Sequence, residues 1–403
     1  RMIAVYLSPV YVIFNIFIVY RLLKWAGLCH EIFQKRWMKV CISVVYAFFA
    51  LSILTAFFLP GGEVKRYMKL ISNYWLGTLL YITLVLLTVC IAALIAYLVR
   101  KKKMSDGTHR IVGALCVAAV LAGSVYGAVH ARQIKINNYD ITVAKDGGSV
   151  KDLKVILIAD LHLGYNIGCR QMEKMRDMIN EQNADIVLIA GDIFDNEYEA
   201  IQDPERMAEI LKGIDSKYGT YAVYGNHDIQ EKILAGFTFG GQTPKRSNPE
   251  MDQLVEDSGI TLLRDEAVLI DDSFYVYGRL DYERPGWDFT GRKDPEEVMR
   301  EVDRNRPVII LDHEPRELTE LSEAGADVVL NGHTHDGQMF PGNITCRLMW
   351  ENSCGYLRKN NMHNIVTSGI GLFGPYMKLG TDSEICVIDV HFSGSAQAVS
   401  EDA

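Results

Sequence analysis

The chain contains 403 residues, of which 49% are hydrophobic, and it carries a formal net charge of −9. This length exceeds that of one ordinary domain, and the hydrophobic share indicates that part of the chain is not soluble. The charge is unevenly divided: residues 1–135 contain 16 Lys and Arg against three acidic residues, a net +13, whereas the remainder contains 25 basic and 47 acidic residues, a net −22. The acidic remainder argues against nucleic acid as the natural substrate, because binding to a polyanion depends on dense Lys and Arg contacts.

Four apolar stretches open the chain, each with about the ~20 residues that a bilayer-spanning helix needs. A signal peptide would have one short apolar core and a cleavage site, so we interpret the stretches as a multi-span anchor. The alternative for the fourth stretch, which is rich in Ala and Gly, is a buried soluble helix. The predicted spans are Met2–Tyr20, Val40–Leu59, Tyr74–Val99 and Ile111–His130.

The connecting loops predict the orientation of these spans. Lys and Arg in short loops stay on the cytoplasmic side of a membrane. The first and third loops together contain ten such residues and the second loop contains three. This difference places the N-terminus outside and everything after about residue 131 in an extracytoplasmic position. A transporter is the alternative interpretation of the spans, but Asn15 and few other polar residues at mid-depth offer little for a transport path.

The rest of the chain alternates buried-strand and helix patterns, which is typical of an α/β fold. Helices are predicted around 171–182 and 205–213, and the end of the chain returns to extended, β-branched segments. Apolar runs occur at 155–159, 186–190, 221–224, 308–311 and 327–330, the last of which begins with Asp327. The predicted organisation is a transmembrane anchor over 1–131, a linker and entry strand over 132–152, an α/β domain over 153–393 and a tail over 394–403.

An Asp or Asn follows each apolar run within two residues, and His residues follow close behind several of them. In an open α/β sheet, ligands bind beyond the carboxyl ends of the strands, so these groups should meet at one edge. Such side chains are rarely buried unless they are paired or coordinated, and together they form a mixed nitrogen and oxygen site for a divalent transition metal. The strand-end groups are Asp160 and His162, Asp192, Asn226 to Asp228, Asp312 and His313, and Asn331 to His335.

These groups resemble the calcineurin-like metallophosphoesterase superfamily, whose pattern is D-x-H, GD-x-x-D, GNH-D/E, H and GHxH. The resemblance covers about residues 139–392 and implies an α/β sandwich of two β-sheets flanked by helices. The DLHLG and GHTHDGQ variants resemble the bacterial branch of membrane-bound or exported phosphodiesterases, some of them UDP-2,3-diacylglucosamine hydrolase-like. The blocks are DLH at 160–162, GDIFD at 191–195, GNHD at 225–228, His313 and GHTH at 332–335.

The resemblance implies two divalent metal ions, with Mn²⁺ expected and Fe²⁺ or Zn²⁺ as alternatives. Two such cations lower the pKa of a bridging water, so that hydroxide attacks phosphorus without a covalent nucleophile. Asp192 would bridge both cations. One cation would be held by Asp160, His162, Asp192 and His335, and the other by Asp192, Asn226, His313 and His333.

Other positions take roles from the same resemblance. His227 would be the general acid that protonates the leaving oxygen, polarised by Asp160. Asp195 and Asp228 would orient ligands or cap the helix that follows. Lys378, in the segment GPYMK, is a candidate phosphate contact.

The substrate prediction combines the hydrolytic domain with its membrane anchor. We expect a membrane-anchored phosphoesterase that cleaves a phosphodiester or pyrophosphate bond of a lipid or lipid-linked envelope substrate. The loop 231–249 is a candidate contact for an acyl chain. Asp336 stands where relatives often have glycine, and it would either repel a dianionic monoester or point to solvent. The alternatives are a phosphomonoesterase and a non-catalytic, metal-binding or ligand-binding membrane sensor. A disulfide between Cys346 and Cys354 stays open, as does the oligomeric state.

Overall fold

The computed structural model describes residues 2–102, 104–231, 233–234, 237–238, 248–284 and 291–394. The chain divides into two compact units. The helical unit covers the residues up to Val129 and also includes Gly374–Met377, and the second unit begins at His130.

Four long helices form the helical unit, and each is long and apolar enough to cross a membrane. The predicted four-span region is confirmed, and the helices extend beyond the predicted spans. The third helix is about 57 Å long, which exceeds the roughly 30 Å hydrocarbon core of a bilayer, so its polar first turns lie outside that core. The helices are α1 (Met2–Cys29), α2 (Arg36–Phe58), α3 (Glu63–Arg100) and α4 (Asp106–His130).

A small polar network joins the first three helices. The Asn15 side chain accepts a hydrogen bond from the Tyr46 hydroxyl (2.7 Å). The Tyr11 hydroxyl donates to the Ala50 carbonyl (2.7 Å) and accepts from the Trp75 indole N–H (3.2 Å). Polar groups in a bilayer are costly unless they are paired, and here every named group has a partner within the bundle. Asn15 therefore contributes to packing between helices, as expected for an anchor.

Two mixed six-stranded sheets and flanking helices form the second unit, which confirms the predicted fold class. The first sheet has the order β1-β14-β2-β3-β4-β7 and the second has the order β12-β13-β11-β10-β9-β8. The strands of the two sheets are β1 (Ile134–Val143), β2 (Asp152–Ile158), β3 (Ile186–Ala190), β4 (Thr220–Val223), β7 (Ile260–Leu262), β8 (Glu266–Ile270), β9 (Phe274–Gly278), β10 (Val308–Leu311), β11 (Val328–Asn331), β12 (Gly355–Lys359), β13 (Met362–Val366) and β14 (Ser383–Phe392). The helices are α5 (Cys169–Asn180), α6 (Pro204–Lys212), α7 (Pro249–Asp257), α8 (Pro295–Arg300), α9 (Leu318–Ala324) and α10 (Gly342–Met349). The short strands β5 (Ile233–Leu234) and β6 (Phe237–Thr238) form a separate two-stranded sheet in the segment Lys232–Gly241, which belongs to the helical unit.

The core lies between the two sheets. Successive side chains of a strand point to opposite faces of the sheet, so Val155 and Leu157 of β2, two residues apart, face the same interior. Ile309 and Leu311 of β10 belong to the same buried cluster. The neighbouring side chains Val308 and Ile310 of β10 point the other way and pack in a second cluster with α8 and α9. This burial on both faces explains the fully apolar runs in the sequence.

The parallel strands carry the candidate site. β2, β3 and β4 run parallel in the first sheet, and β10 and β11 run parallel in the second. The carboxyl ends of neighbouring parallel strands lie at one edge of their sheet. The strand-end loops of both sheets are therefore placed to share one site.

Candidate metal centre

Several residues in the loops that directly follow these strands have a left-handed backbone conformation. The φ angle is 54° at Asp160, 50° at Asp192, 74° at His333 and 50° at His335. Such conformations cost on the order of 1–3 kcal/mol for non-glycine residues and cluster at functional sites. Gly225 shows how close the loops approach, because a Cβ atom there would lie 2.3 Å from Asp192 Oδ1. The loops are therefore folded to bring polar side chains together.

The first ligand group contains Asp160, His162 and His335. The Nε2 atoms of His162 and His335 lie 3.0 Å apart, and His335 Nε2 lies 3.8 Å from Asp160 Oδ1. Asp192 Oδ2 lies 3.8 Å from His162 Nε2. All four side chains are buried. Four donor atoms thus converge on one point.

The second ligand group contains Asp192, His313 and His333, with the Asn226 amide beside them. His313 Nε2 lies 3.2 Å from Asp192 Oδ2 and 3.1 Å from Asn226 Oδ1. His333 Nδ1 lies 3.0 Å from Asn226 Oδ1 and 3.2 Å from His313 Nε2. The structure therefore brings all seven predicted ligands into two groups that meet at Asp192.

The donor atoms of these groups fit divalent cations. His313 Nδ1 lies 2.8 Å from the Ala190 carbonyl oxygen, so Nδ1 carries a hydrogen, and Nε2, once it has lost its own proton, directs a lone pair towards Asp192 and Asn226. Lone pairs that point at one another repel unless a positive charge lies between them. Imidazole nitrogen with carboxylate and amide oxygen suits Mn²⁺, Fe²⁺ or Zn²⁺.

The electrostatics of the metal-free protein agree with this fit. Burial, reinforced by the nearby His313 charge, lowers the pKa of His333 to about 3. Burial and the charge of His162 lower the pKa of His335 well below its usual range, so both imidazoles are neutral as metal ligands must be. Burial alone would raise the pKa of Asp192, yet the neighbouring His313 holds it well below its usual range. In the metal-free protein His313 supplies this positive charge: burial would lower its pKa, but Asp192 raises the pKa well above its usual range, and a bound cation would take the place of that proton.

His227 lies beside both groups. Its backbone N–H donates to Asp192 Oδ1 (2.8 Å), and its ring lies 4.4 Å from the Phe373 ring, centroid to centroid. Its Nδ1 atom is hydrogen-bonded to Asn196 Oδ1. The structure thus places Asn196, where the sequence predicted Asp160, as the orienting partner of the His227 ring. Asn196 was missed because one amide after the GDIFD block gives no distinctive signal.

Asp195 and Asp228 support the loops. Asp195 Oδ1 lies 3.7 Å from His162 Nδ1, which suits a role in orienting that imidazole. The Asp228 carboxylate accepts hydrogen bonds from the backbone N–H groups of Phe194 (2.8 Å) and Gly225 (2.7 Å). Burial, with the charge of Asp192, raises the pKa of Asp228 to about 8. Asp228 therefore joins the loop after β3 to the loop after β4.

Lys378 is placed differently from its predicted role. Its side chain is fully buried, and the ammonium group donates to the carbonyl oxygens of Ser368 (2.9 Å), Gly369 (2.8 Å) and Asp382 (2.9 Å). An ammonium group has three donors, and all three are used. The predicted phosphate contact is therefore corrected, because Lys378 holds the chain segments around it together.

Replacing Lys378 with methionine is expected to destabilise the protein. Three buried carbonyl groups would lose their donor, and each unsatisfied buried group costs about 1–3 kcal/mol. We expect the free energy of unfolding to fall by at least about 2 kcal/mol and the melting temperature in detergent to fall by roughly 5 °C. Lys151→Met, at an exposed lysine, is the matched control. A melting temperature equal to that of the control variant would contradict this role.

The structure also bears on the orientation of Asp336, the pairing of the cysteines and the loop 231–249. The Asp336 side chain is buried, so the alternative in which it points to solvent is wrong. Burial raises its pKa, which weakens any repulsion of an anionic substrate. All eight cysteines, including Cys346 and Cys354, are free thiols. Most of the loop 231–249 that was predicted to contact an acyl chain lies outside the described residues.

Two buried arginines near His313 were missed in the sequence. Arg279 Nη1 lies 3.1 Å from Asp312 Oδ2, and Arg292 Nη1 lies 2.9 Å from Asp312 Oδ1. Both guanidinium groups also pair with Glu317 (2.9 and 2.6 Å). This network fixes Asp312, the residue directly before the candidate ligand His313. Asp312 is thus a positioning residue and not a ligand.

Two further arginines lie beside the second ligand group. The Arg316 guanidinium lies 4.9 Å from the Tyr282 ring and 4.9 Å from the Trp350 ring. The Trp350 ring in turn lies 5.3 Å from the His333 ring. Arg284 Nη1 donates to the Asn226 carbonyl oxygen (2.8 Å). Each guanidinium also pairs with a carboxylate, Arg316 with Glu314 and Arg284 with Glu231 (3.2 Å), so two ion-paired arginines flank the second ligand group.

Comparison with known proteins agrees with the fold and the site. Residues 153–337 match the family model of the calcineurin-like phosphoesterases. A transmembrane protein with metallophosphoesterase domain from Danio rerio is 29% identical over 369 residues, which cover 87% of this chain and 80% of that protein. The protein of the same name from Bos taurus is 28% identical over 68% of this chain, and the match spans 61% of its length, less than two thirds of the bovine protein.

A third relative has a more specific name. The UDP-2,3-diacylglucosamine pyrophosphatase LpxG of Chlamydia trachomatis is 23% identical over 55% of this chain and 77% of that protein. The names of the relatives, the family model and the two ligand groups all indicate a metal-dependent phosphoesterase domain. Residues 153–337 thus form a domain that matches the calcineurin-like phosphoesterase family model, and four helices that are long and apolar enough to cross a membrane precede it.

Proposed function

We propose that this protein is a membrane-anchored phosphoesterase with two metal ions, which hydrolyses a phosphodiester or pyrophosphate bond of a lipid or lipid-linked envelope substrate. The observation that carries the proposal is the meeting of two ligand groups at Asp192, with His227 beside them. The four spanning helices keep the domain near lipid headgroups, and the name of the Chlamydia trachomatis relative describes a lipid pyrophosphatase.

The roles of the residues follow from their places. Asp160, His162 and His335 would hold one divalent cation, His313, His333 and Asn226 the other, and Asp192 both. Two such cations, Mn²⁺ or alternatively Fe²⁺ or Zn²⁺, supply an activated water and neutralise charge on the phosphoryl oxygens. His227, oriented by Asn196, would give a proton to the leaving oxygen. No side chain is needed as a covalent nucleophile.

The first test compares two soluble substrates. Full-length protein in detergent with Mn²⁺ is assayed on bis-(p-nitrophenyl) phosphate and on p-nitrophenyl phosphate, and we expect metal-dependent cleavage of the diester in preference to the monoester. A preference for the monoester would replace the proposal with a phosphatase. Bound metal without turnover of either substrate would favour the membrane sensor.

We also propose that the catalytic domain is extracytoplasmic, on the basis of ten Lys and Arg in the first and third loops against three in the second. In a background without native cysteines, Glu205→Cys on α6 should react with a membrane-impermeant maleimide in intact cells. Lys102→Cys, in the loop after α3, should react only after lysis. The reverse pattern would invert the orientation.

Arg316 is expected to contact the substrate phosphate. Its guanidinium is held between Tyr282 and Trp350 next to His333, and a guanidinium binds phosphate through paired hydrogen bonds. Arg316→Ala should raise the KM for bis-(p-nitrophenyl) phosphate roughly tenfold, because one such contact contributes on the order of 1.5 kcal/mol. Arg358→Ala, at an exposed arginine of β12, is the control. Equal KM values for the two variants would refute the contact.

A further inference from the structure

Exposed apolar side chains of the second unit are concentrated at one helix. Phe340, Ile344, Leu348 and Met349 are 45%, 49%, 82% and 76% exposed, and we call these four side chains the α10 surface. A contiguous apolar cluster on a folded domain marks an interaction site more often than chance exposure does. Among the described residues from His130 onward, the other large apolar side chains of comparable exposure are scattered singly, at Leu269, Tyr282 and Tyr356.

The helix has an inner and an outer side. Ile344 and Leu348 are four residues apart, so they lie on the same side of α10. Cys346 faces the protein, since its Sγ atom lies 3.7 Å from the Thr334 carbonyl oxygen. Within α10, all of which the structure describes, no residue is buried. The apolar side chains of this helix therefore do not serve the core.

The α10 surface adjoins the metal centre. Thr334 lies between the candidate ligands His333 and His335, and Cys346 contacts its carbonyl group. Trp350 follows the helix directly, and its ring lies 5.3 Å from the His333 ring. The helix is about 12 Å long. A molecule whose phosphate lies at the ligands can therefore reach the α10 surface with an apolar part.

The chemistry of the surface favours a lipid chain over a protein partner. Four side chains are few beside the roughly 20–30 residues that each side of a stable protein interface uses. Arg347 is exposed on the same helix, and apolar side chains next to a basic residue are typical of helices that contact lipid with anionic headgroups. The chain also contains four helices that can anchor it in a bilayer, so lipid substrates would be locally abundant.

We propose that the α10 surface binds an acyl chain of the substrate while the substrate phosphate lies at the metal centre. The proposal rests on the proposed function, because it assigns a surface to the lipid part of the same substrate. It makes α10 a determinant of specificity for amphiphilic substrates, and it leaves the cleavage of short diesters unaffected.

The test uses two diesters that share the bond to be cleaved. Wild-type protein and the double variant Leu348→Ser/Met349→Ser, both full-length in nanodiscs, are assayed with Mn²⁺ on ethyl p-nitrophenyl phosphate and on hexadecyl p-nitrophenyl phosphate. We expect the wild type to have at least a tenfold higher kcat/KM on the hexadecyl diester. The double variant should lose that preference and retain wild-type kcat/KM on the ethyl diester. Leu269→Ser, at an exposed apolar residue of β8, should behave like wild type.

The other outcomes separate the two proposals. If the double variant keeps the preference for the hexadecyl diester, or if the wild type lacks it, the proposal that the α10 surface binds an acyl chain is refuted. Either result leaves the proposed phosphodiesterase function standing. If neither diester is cleaved, the proposed function fails, and binding of hexadecyl(methyl)phosphinate, whose two P–C bonds cannot be hydrolysed, then tests the α10 surface by itself. Tighter binding by wild type than by the double variant would support the surface, and equal binding would overturn it.

Discussion

Replacing Asp192 with alanine is expected to abolish metal-dependent hydrolysis of bis-(p-nitrophenyl) phosphate, with kcat lower by on the order of 10³-fold or more. Asp192 Oδ2 lies 3.2 Å from His313 Nε2 and 3.8 Å from His162 Nε2, so the substitution removes an oxygen ligand from both groups at once. We expect the metal content, measured by mass spectrometry of the purified protein, to fall from about two ions per chain to less than one.

The matched control is Asp215→Ala, which removes an exposed carboxylate that belongs to neither ligand group. It should retain activity and metal. Asp192→Asn is also informative, since it keeps the side-chain shape and one oxygen but loses the charge, and it should resemble Asp192→Ala more than wild type. Two tightly bound ions and wild-type turnover in Asp192→Ala would show that Asp192 is not the shared ligand.

The strand-end residues could be predicted from the sequence because they follow simple physical regularities, whereas their division into two ligand groups came from the family resemblance. Runs such as 155–159 and 186–190 are apolar throughout because their strands are buried on both faces. The residues after such strands, Asp160 and Asp192 among them, meet wherever the strands run parallel. The order of five blocks along the chain therefore contains most of the three-dimensional information about the site.

The supporting residues could not be predicted in the same way, since their partners are distant in the chain and follow no period. Arg279 meets Asp312 only because β9 and β10 pair in one particular register. Asn196 reaches His227 across two loops. Lys378 was interpreted as a phosphate contact because the branch that the sequence resembles often has arginine at this position, but its ammonium group instead binds three carbonyl groups that converge only in the folded chain.

The helix bounds show a related limit. Hydropathy predicted the third span from Tyr74, whereas α3 begins at Glu63. Hydropathy measures which residues tolerate hydrocarbon, and the polar turns that contain Lys65, Arg66 and Lys69 do not. The helix nevertheless continues through them, since its backbone hydrogen bonds need no apolar side chains. A span predicted from composition is therefore shorter than the helix that contains it.

His227→Asn is expected to lower kcat on bis-(p-nitrophenyl) phosphate by about 10²-fold or more, which is the usual contribution of general acid catalysis. His227 contacts Asp192 through its backbone N–H and not through its ring, so the substitution leaves the ligand groups in place. We therefore expect metal content equal to that of wild type. This combination distinguishes His227 from the ligands, because Asp192→Ala should lose both metal and turnover.

Asn196→Ala provides the matched test of how the His227 ring is oriented. The Asn196 amide bonds His227 Nδ1 and donates to the Ile229 carbonyl oxygen (3.1 Å), so its removal frees the imidazole to rotate. We expect kcat to fall by roughly tenfold, less than in His227→Asn, because the imidazole itself remains. In the combined variant His227→Asn/Asn196→Ala, kcat should be no lower than in His227→Asn alone, since the effects of residues that act as one unit are not additive. Independent, multiplicative losses would mean that Asn196 serves the loop and not the His227 ring.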